Sequence, residues 1–271
     1  MEFLAQLASW SLLAFAVLLF LTQVATRVFG YWLGVRHRTT HGTSGAEGVG
    51  LVVGGMIGLL GFVLALILSF GTTRFDERRQ GTLAEANAIS TAWLRASAVG
   101  DPRSLKIADS LEEYARVRRD YIQADRNSPT IAILNQRTSS IQAEIWEQLS
   151  AITRERTDPL VVSLMVAINE TFDMSTAERF AHDSRFPIGL FWLLIGMAHI
   201  SMGALGYQLG LSGQKKTHIF ATLLTAVWTA VIVVILDLSA PRLGTIRTSV
   251  DVYDWALQDF KNSAPTAQPP R

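Results

Sequence analysis

The 271-residue sequence contains no cysteine, which excludes disulfides, thiolate catalysis and zinc–thiolate sites. It is also poor in charge, with 17% Asp, Glu, Lys and Arg against about 25% in an average soluble chain. The 24 basic and 23 acidic residues leave a net charge of +1, so no global field attracts nucleic acid. There is no P-loop, dinucleotide glycine fingerprint, HExxH or GxSxG, and the five histidines are scattered. Nothing in the sequence argues for an enzyme, a cofactor or a metal centre.

What the sequence has in quantity is apolar residues: 49% of the chain, arranged in long uncharged runs around a middle dense in charge. That asymmetry predicts an integral membrane protein with a polar insert, its first partner being the lipid bilayer. The organising stretch is Gly50 to Gln80. It is uncharged from Gly50 to Phe70, long enough for a helix to cross a bilayer core of about 30 Å. It then turns abruptly polar at Arg74, Asp76, Glu77, Arg78 and Arg79 without a proline or turn signal, which predicts one helix continuing beyond the bilayer.

Two stripes run along this helix. Gly50, Gly54, Gly58 and Gly61 form a small-residue ridge, continued by Ala65 and Ser69, of the kind that lets helices associate closely in lipid. Phe62, Leu66 and Phe70 form a bulky stripe at four-residue spacing. Two readings of that stripe stand: it packs against lipid or core, or it lines the axis of an oligomer as a hydrophobic constriction.

A first membrane helix is expected from about Leu7 to Val28, with Trp10 and Tyr31–Trp32 as interfacial aromatics. The start, MEFLAQ, lacks the basic residues of a signal peptide, so the helix is expected to be retained. Gln23 and Arg27 share one face, with Arg27 near enough to the end to snorkel. Arg36 to Gly48 reads as a loop in which His37 and His41 are solvated rather than metal ligands.

The insert reads as a helical bundle. Its first helix continues the second membrane helix and stops at Asp101–Pro102. The next carries Leu105, Ala108, Leu111, Tyr114, Val117 and Tyr121 on one stripe and ends at Asn127–Ser128–Pro129. A third carries Leu134, Thr138, Ile141, Ile145, Leu149 and Ile152. Asp158–Pro159 predicts a cap and start for a fourth of about three turns.

After Ser184–Arg185–Phe186–Pro187, a third membrane helix is expected from Ile188 to about Leu211, close-packing through Gly196, Gly203, Gly206 and Gly210. His199 is its costly polar residue, expected to bond a neighbouring helix, or else to relay protons or contact a ligand. The fourth runs from His218 to Leu238 and makes an antiparallel hairpin with the third. The resulting division is 1–72 (helices 1 and 2), 73–185 (insert), 186–240 (hairpin) and 241–271 (a short tail, disordered at its Pro-rich end).

Arg36, Arg38, Lys215 and Lys216 mark one side of the membrane, and Arg74, Arg78, Arg79, Arg179, Arg185, Arg242 and Arg247 the other. The richer side is expected to be cytoplasmic, placing both termini and the insert there, in a plasma (bacterial inner) membrane. At the membrane exit, Arg74, Asp76, Arg78, Glu85, Asn87, Asp237 and Arg242 form either a charged pore mouth or an ion-pair network locking the insert in place.

The stretches LSFGTTRFDERRQGTLAEANAISTAWLRA and LDLSAPRLGTIRTS, in this helix order, resemble a bestrophin-like membrane family of bacteria and plants. Glu85–Ala86–Asn87–Ala88, Arg95, Asp237, Pro241–Arg242 and Gly244 carry the resemblance. More distantly it is similar to the bestrophins, pentameric anion channels whose second helix bears three bulky apolar residues as a pore neck; Phe62, Leu66 and Phe70 match that spacing. The pair Phe75–Asp76 is similar to the bestrophin segment that follows, whereas Glu77–Arg78–Arg79–Gln80 replaces its tryptophan-rich step, and the acidic calcium clasp has no counterpart. The resemblance implies an all-α, four-span homo-oligomer passing small anions. The alternatives are a non-conducting scaffold whose insert binds a cytosolic partner, and an enzyme or transporter using His199 and Asp237.

Overall fold

A computed structural model describes residues 12–43, 46–125, 128–183, 187–213, 217–242 and 245–263. Among these, the regular structure is helical: α1 (Leu12–His41), α2 (Ala46–Val99), α3 (Pro102–Gln123), α4 (Thr130–Glu155), α5 (Pro159–Asp183), α6 (Ile188–Ser212), α7 (His218–Ser239) and α8 (Asp251–Ser263). Four stretches are long and apolar enough to cross a membrane; they lie in α1, in α2, within Pro159–Ser212 and in α7. The apolar part of the third is α6. Expectations resting on Trp10, Arg185, Lys215, Lys216, Gly244 and the Pro-rich end of the tail fall outside the described residues. The chain divides into two compact units, Met1–Arg74 with Arg185–Ile246, and Phe75–Ser184 with Arg247–Arg271.

The first unit is held by backbone-to-backbone approach. A Cβ on Gly206 would overlap the Arg27 carbonyl oxygen, and one on Gly210 that of Tyr31; a Cβ on Gly30 would meet Gly203, and one on Gly34 would meet Tyr207. Residue numbers rise together along this seam, so α1 and α6 run parallel. α7 packs antiparallel to α1, with Tyr31 edge-on to His218 at 4.8 Å and Arg27 bonded to Thr222. Phe15, Leu60, Leu64, Leu194, Ala198, Trp228 and Ile232 fill the centre.

Close packing therefore falls on Gly30, Gly34, Gly206 and Gly210. The ridge expected to pack on α2 does not do so within the protomer. A Cβ on Gly54, Gly58 or Gly61 would meet nothing within 4 Å, and one on Gly50 would meet the Gln208 amide nitrogen at 2.7 Å.

Two local expectations are corrected. Arg36–His41 is helical, not looped: Thr39 and Thr40 return their hydroxyls to the Arg36 carbonyl, His37 and His41 stack at 4.7 Å, and the turn begins only at Gly42, whose φ is 77°. Arg27 does not snorkel; it is 6% exposed and donates from Nη2 to Thr222 Oγ1 at 2.8 Å.

The second unit is a bundle of the polar half of α2 with α3, α4, α5 and α8 around one core. Asp101 caps α3 through the Arg103 N–H at 2.8 Å, and Asp158 caps α5 through Leu160 at 3.0 Å, as the Asp–Pro pairs predict. The α4 stripe from Thr138 to Ile152 is buried, and so is the α3 stripe except Leu105, which is exposed. α5 runs through to Asp183, well past three turns. The tail expectation did not contain a helix; α8 buries Tyr253, Ala256 and Phe260, the last stacked on Trp93 at 4.7 Å.

Replacing Gly206 by Ala forces apart two backbones, and overpacking of this kind costs about 1–3 kcal/mol. The Gly206→Ala protein is expected to unfold at lower temperature in detergent than the natural chain. Gly48→Ala, at a position with open space, should not.

Candidate functional site

Phe62, Leu66 and Phe70, the expected neck, stand in line on α2 and are 61%, 55% and 40% exposed. The buried face of the same helix is Val53, Leu60, Leu64, Ile67 and Gly71. At about 100° per residue the bulky stripe, the glycine ridge and the buried face occupy three sides of α2, the first two about 110° apart. The Arg74 guanidinium lies 5.3 Å from the Phe70 ring centre, putting a cation at the polar end of the stripe.

Of the charged residues expected near the membrane exit, Arg74, Asp237 and Arg242 belong to the first unit, and Asp76, Arg78, Glu85 and Asn87 to the second. Asp237 is buried and accepts from Thr245, through Oγ1 at 3.0 Å and N–H at 3.3 Å, and from the Ile246 N–H at 3.4 Å. It closes the turn after α7. Asp76 and Asn87 are exposed, whereas Arg78 and Glu85 are buried. His199 bonds Thr22 Oγ1 at 3.1 Å across to α1, the simplest of its expected roles.

Glu85 opens a network that sequence reasoning saw only in part. Its Oε1 accepts from Arg118 Nε at 2.5 Å, and its Oε2 from Arg118 Nη2 at 3.1 Å and Tyr253 Oη at 2.7 Å. The pair is 0–1% exposed. Arg118 also sits 4.6 Å over the Tyr121 ring and reaches the Ser175 carbonyl at 3.4 Å. Thus α2, α3, α5 and α8 meet on one bidentate ion pair. Burial alone would lower Arg118, but the Glu85 carboxylate outweighs it and the guanidinium is held above its ordinary value. Burial, then Glu85, pushes the Tyr114 hydroxyl up to about 12. Burial likewise drives Tyr253 well above its usual range.

Next to the pair lies a second carboxylate, Glu178 on α5. Thr82 donates to its Oε1 at 2.5 Å, and His182 Nδ1 is 3.3 Å from the same oxygen. Its Oε2 is buried without a hydrogen-bond partner and fills the space where a Cβ on Gly81 would stand. Burial raises Glu178 most; Thr82 pulls it down, Glu85 pushes it up, and Arg118 and Arg78 pull it down, leaving it at about 7. The Thr82 hydroxyl is also 3.0 Å from the Arg78 carbonyl. A protonated Glu178 can therefore donate to Thr82 while Thr82 donates to that carbonyl. Thr82 thus stays hydrogen-bonded to Glu178 Oε1 in both protonation states of the carboxyl.

Arg118 had a sequence signal: it lies on the stripe of Leu111, Tyr114 and Tyr121, where a cation is out of place. Glu178 and His182 continue the buried face of Leu164, Ile168, Thr171 and Ser175. They were missed because α5 was read as short. Tyr253 was missed with its helix.

Glu178 titrates near 7 in the folded protein against 4.5 when unfolded, so the native state holds its proton more tightly. Its contribution to stability is complete below pH 4.5, is lost as pH rises toward 7, and is flat above that. Glu178→Gln is expected to abolish that part of the pH dependence and to be more stable than the natural chain above pH 7, as measured by thermal unfolding. Arg118→Met leaves Glu85 charged and unpaired, and is expected to cost about 3–5 kcal/mol in the same assay.

No curated protein sequence matches this chain. Solved structures do. A bacterial bestrophin homologue from Klebsiella pneumoniae carrying a Trp-to-Ala substitution superposes with a TM-score of 0.70 at 11% identity, over 93% of this chain and 99% of that one. The same organism's homologue in another crystal structure gives 0.65 at 13% identity, over 92% and 98%. A structure described as a membrane protein with a Ser-to-Ala substitution gives 0.69 at 11%, over 94% and 99%. At these identities the likeness is one of fold. The bestrophin-like domain model matches residues 9–253, nearly the whole chain, and the protein belongs to the bestrophin-like family.

Proposed function

We propose that this protein is an anion-permeable channel formed by identical subunits around an axis lined by α2. Phe62, Leu66 and Phe70 form its hydrophobic neck, and Arg74 stands at its mouth. The observation that carries this reading is the state of α2 in the protomer. One side bears three large exposed apolar side chains, and the adjacent side is an open ridge of Gly54, Gly58, Gly61, Ala65 and Ser69. A neighbouring copy of α2 seated on the ridge would turn the bulky stripe inward. A ring of that kind constricts by dewetting, and the arginines concentrate anions beside it. The unit containing Glu85, Arg118 and Glu178, with both termini, lies on the cytoplasmic side of the plasma membrane in this arrangement.

A scaffold that conducts nothing is the second reading. The second unit favours it by exposing Trp255 at 61%, Ile133 at 63% and Val166 at 53%, apolar side chains that a cytosolic partner would cover.

Purified protein in planar bilayers is expected to carry anion current, and Phe70→Ala to raise it or weaken its gating. Gly58→Leu is expected to reduce the oligomer seen by size and mass in detergent. A verified oligomer that passes no current would favour the scaffold. Sidedness has its own measurement, because the natural chain lacks cysteine. Ser140→Cys, at an exposed position on α4, should resist a membrane-impermeant maleimide in intact cells and react in inverted vesicles.

A further inference from the structure

We propose that Gln23 and Arg27 form a binding site for a small monovalent anion inside the first unit, on the seam of α1 and α7. Arg27 is 6% exposed and Gln23 is 0% exposed. Arg27 spends one nitrogen, Nη2, on Thr222 Oγ1 at 2.8 Å; its Nη1 is buried without a partner. Gln23 is buried with both amide atoms unpartnered. The two residues are four apart on one helix, so their side chains stand one above the other on the same face.

An unpaired guanidinium enclosed by apolar helices is costly, because burial strips its hydration without supplying a counter-charge. Among the described residues no carboxylate pairs with Arg27. Among the described residues its guanidinium is bonded to the Thr222 hydroxyl, itself bonded to the His218 carbonyl at 2.9 Å. A water molecule could accept one hydrogen bond but would leave the charge uncompensated. A single halide-sized anion supplies what is missing: an acceptor for Arg27 Nη1 and for the Gln23 amide N–H, and one negative charge. A water retained from its hydration shell can donate to Gln23 Oε1. One cation in so enclosed a place selects a small, singly charged ligand over a multivalent one. Tyr31 and His218 lie one turn further along the same seam, so the site is about one turn inside the start of α7. It sits on α1, away from the α2 stripe, and does not depend on that stripe lining a pore.

The test uses the full chain in phospholipid-free detergent, with bromide replacing gluconate at constant ionic strength. The thermal midpoint of the natural protein is expected to rise with bromide and to saturate, as for a ligand that binds the native state. Arg27→Met removes the charge at similar volume and should lower the apparent bromide affinity at least about tenfold, with Gln23→Leu showing a smaller loss. Lys106→Gln, at an exposed position on α3, should leave the bromide response unchanged. Identical midpoints in bromide and gluconate would mean that water fills the site and would overturn the proposal. So would an unaltered response in Gln23→Leu and Arg27→Met, or stabilisation by added anionic lipid that bromide does not reproduce. If Arg27→Met does not fold, the natural protein and Gln23→Leu still decide the matter. The outcome is separate from planar-bilayer current, which reports on the α2 stripe alone.

Discussion

One helix, α2, has to satisfy two environments without a break. Up to Phe70 its side chains suit hydrocarbon, and from Arg74 onward they suit water and buried charge. In hydrocarbon, apolar side chains gain little by leaving lipid for a neighbouring helix, so association depends on close contact and hydrogen bonds. The first unit follows that rule: glycines bring α1 and α6 together at backbone distance, and α7 is fastened by hydroxyls. In the second unit the hydrophobic effect operates, and Ile89, Leu111, Ile145 and Ile168 are buried as in a soluble bundle. The same continuous helix contributes to both kinds of core.

The ion pair of Glu85 and Arg118 has to be weighed against its own desolvation. Two buried charges lose several kcal/mol of hydration each, and mutual attraction repays this only with good geometry and no unsatisfied lone pairs. Here both carboxylate oxygens are used, by two guanidinium nitrogens and a tyrosine hydroxyl, and an aromatic face covers the cation. Such a pair adds directional demand rather than net attraction. It is satisfied only when α2, α3 and α8 adopt one mutual register, which apolar contacts alone would leave freer. Glu178 is the contrasting member. With one oxygen orphaned, it is a carboxyl that burial brings to about 7.

The architecture was legible because its signals are long. Uncharged runs and the α4 stripe each extend over several turns, the Asp–Pro pairs mark helix starts locally, and the boundaries at Ile188 and His218 were read correctly. What was not legible depends on pairing between distant segments. No local pattern tells that Glu85 faces Arg118 rather than an arginine nearer in sequence, or that Asp237 takes the backbone of Thr245 and Ile246. The Arg36–His41 error has a local cause: Ser, Thr and Gly content was read as a loop, although Thr39 and Thr40 can return their hydroxyls to the preceding turn and remain helical. The missed α8 is amphipathic and short, and its proximity to the Pro-rich end hid it.

Arg118 and Arg27, both enclosed, define what separates structural charge from charge that calls for a ligand. Arg118 has a carboxylate, a carbonyl and a tyrosine face around it, and every term needed to hold a cation away from water is supplied by the chain. Arg27 has one hydroxyl. The medium is not more forgiving there, since the first unit is the one whose helices are apolar enough to cross a membrane. Had Arg27 served only to join α1 to α7, Thr222 with an uncharged partner would have done so without the cost of a buried cation. A polar pair retained there with three of its atoms unused is best explained by a group that the chain does not itself provide.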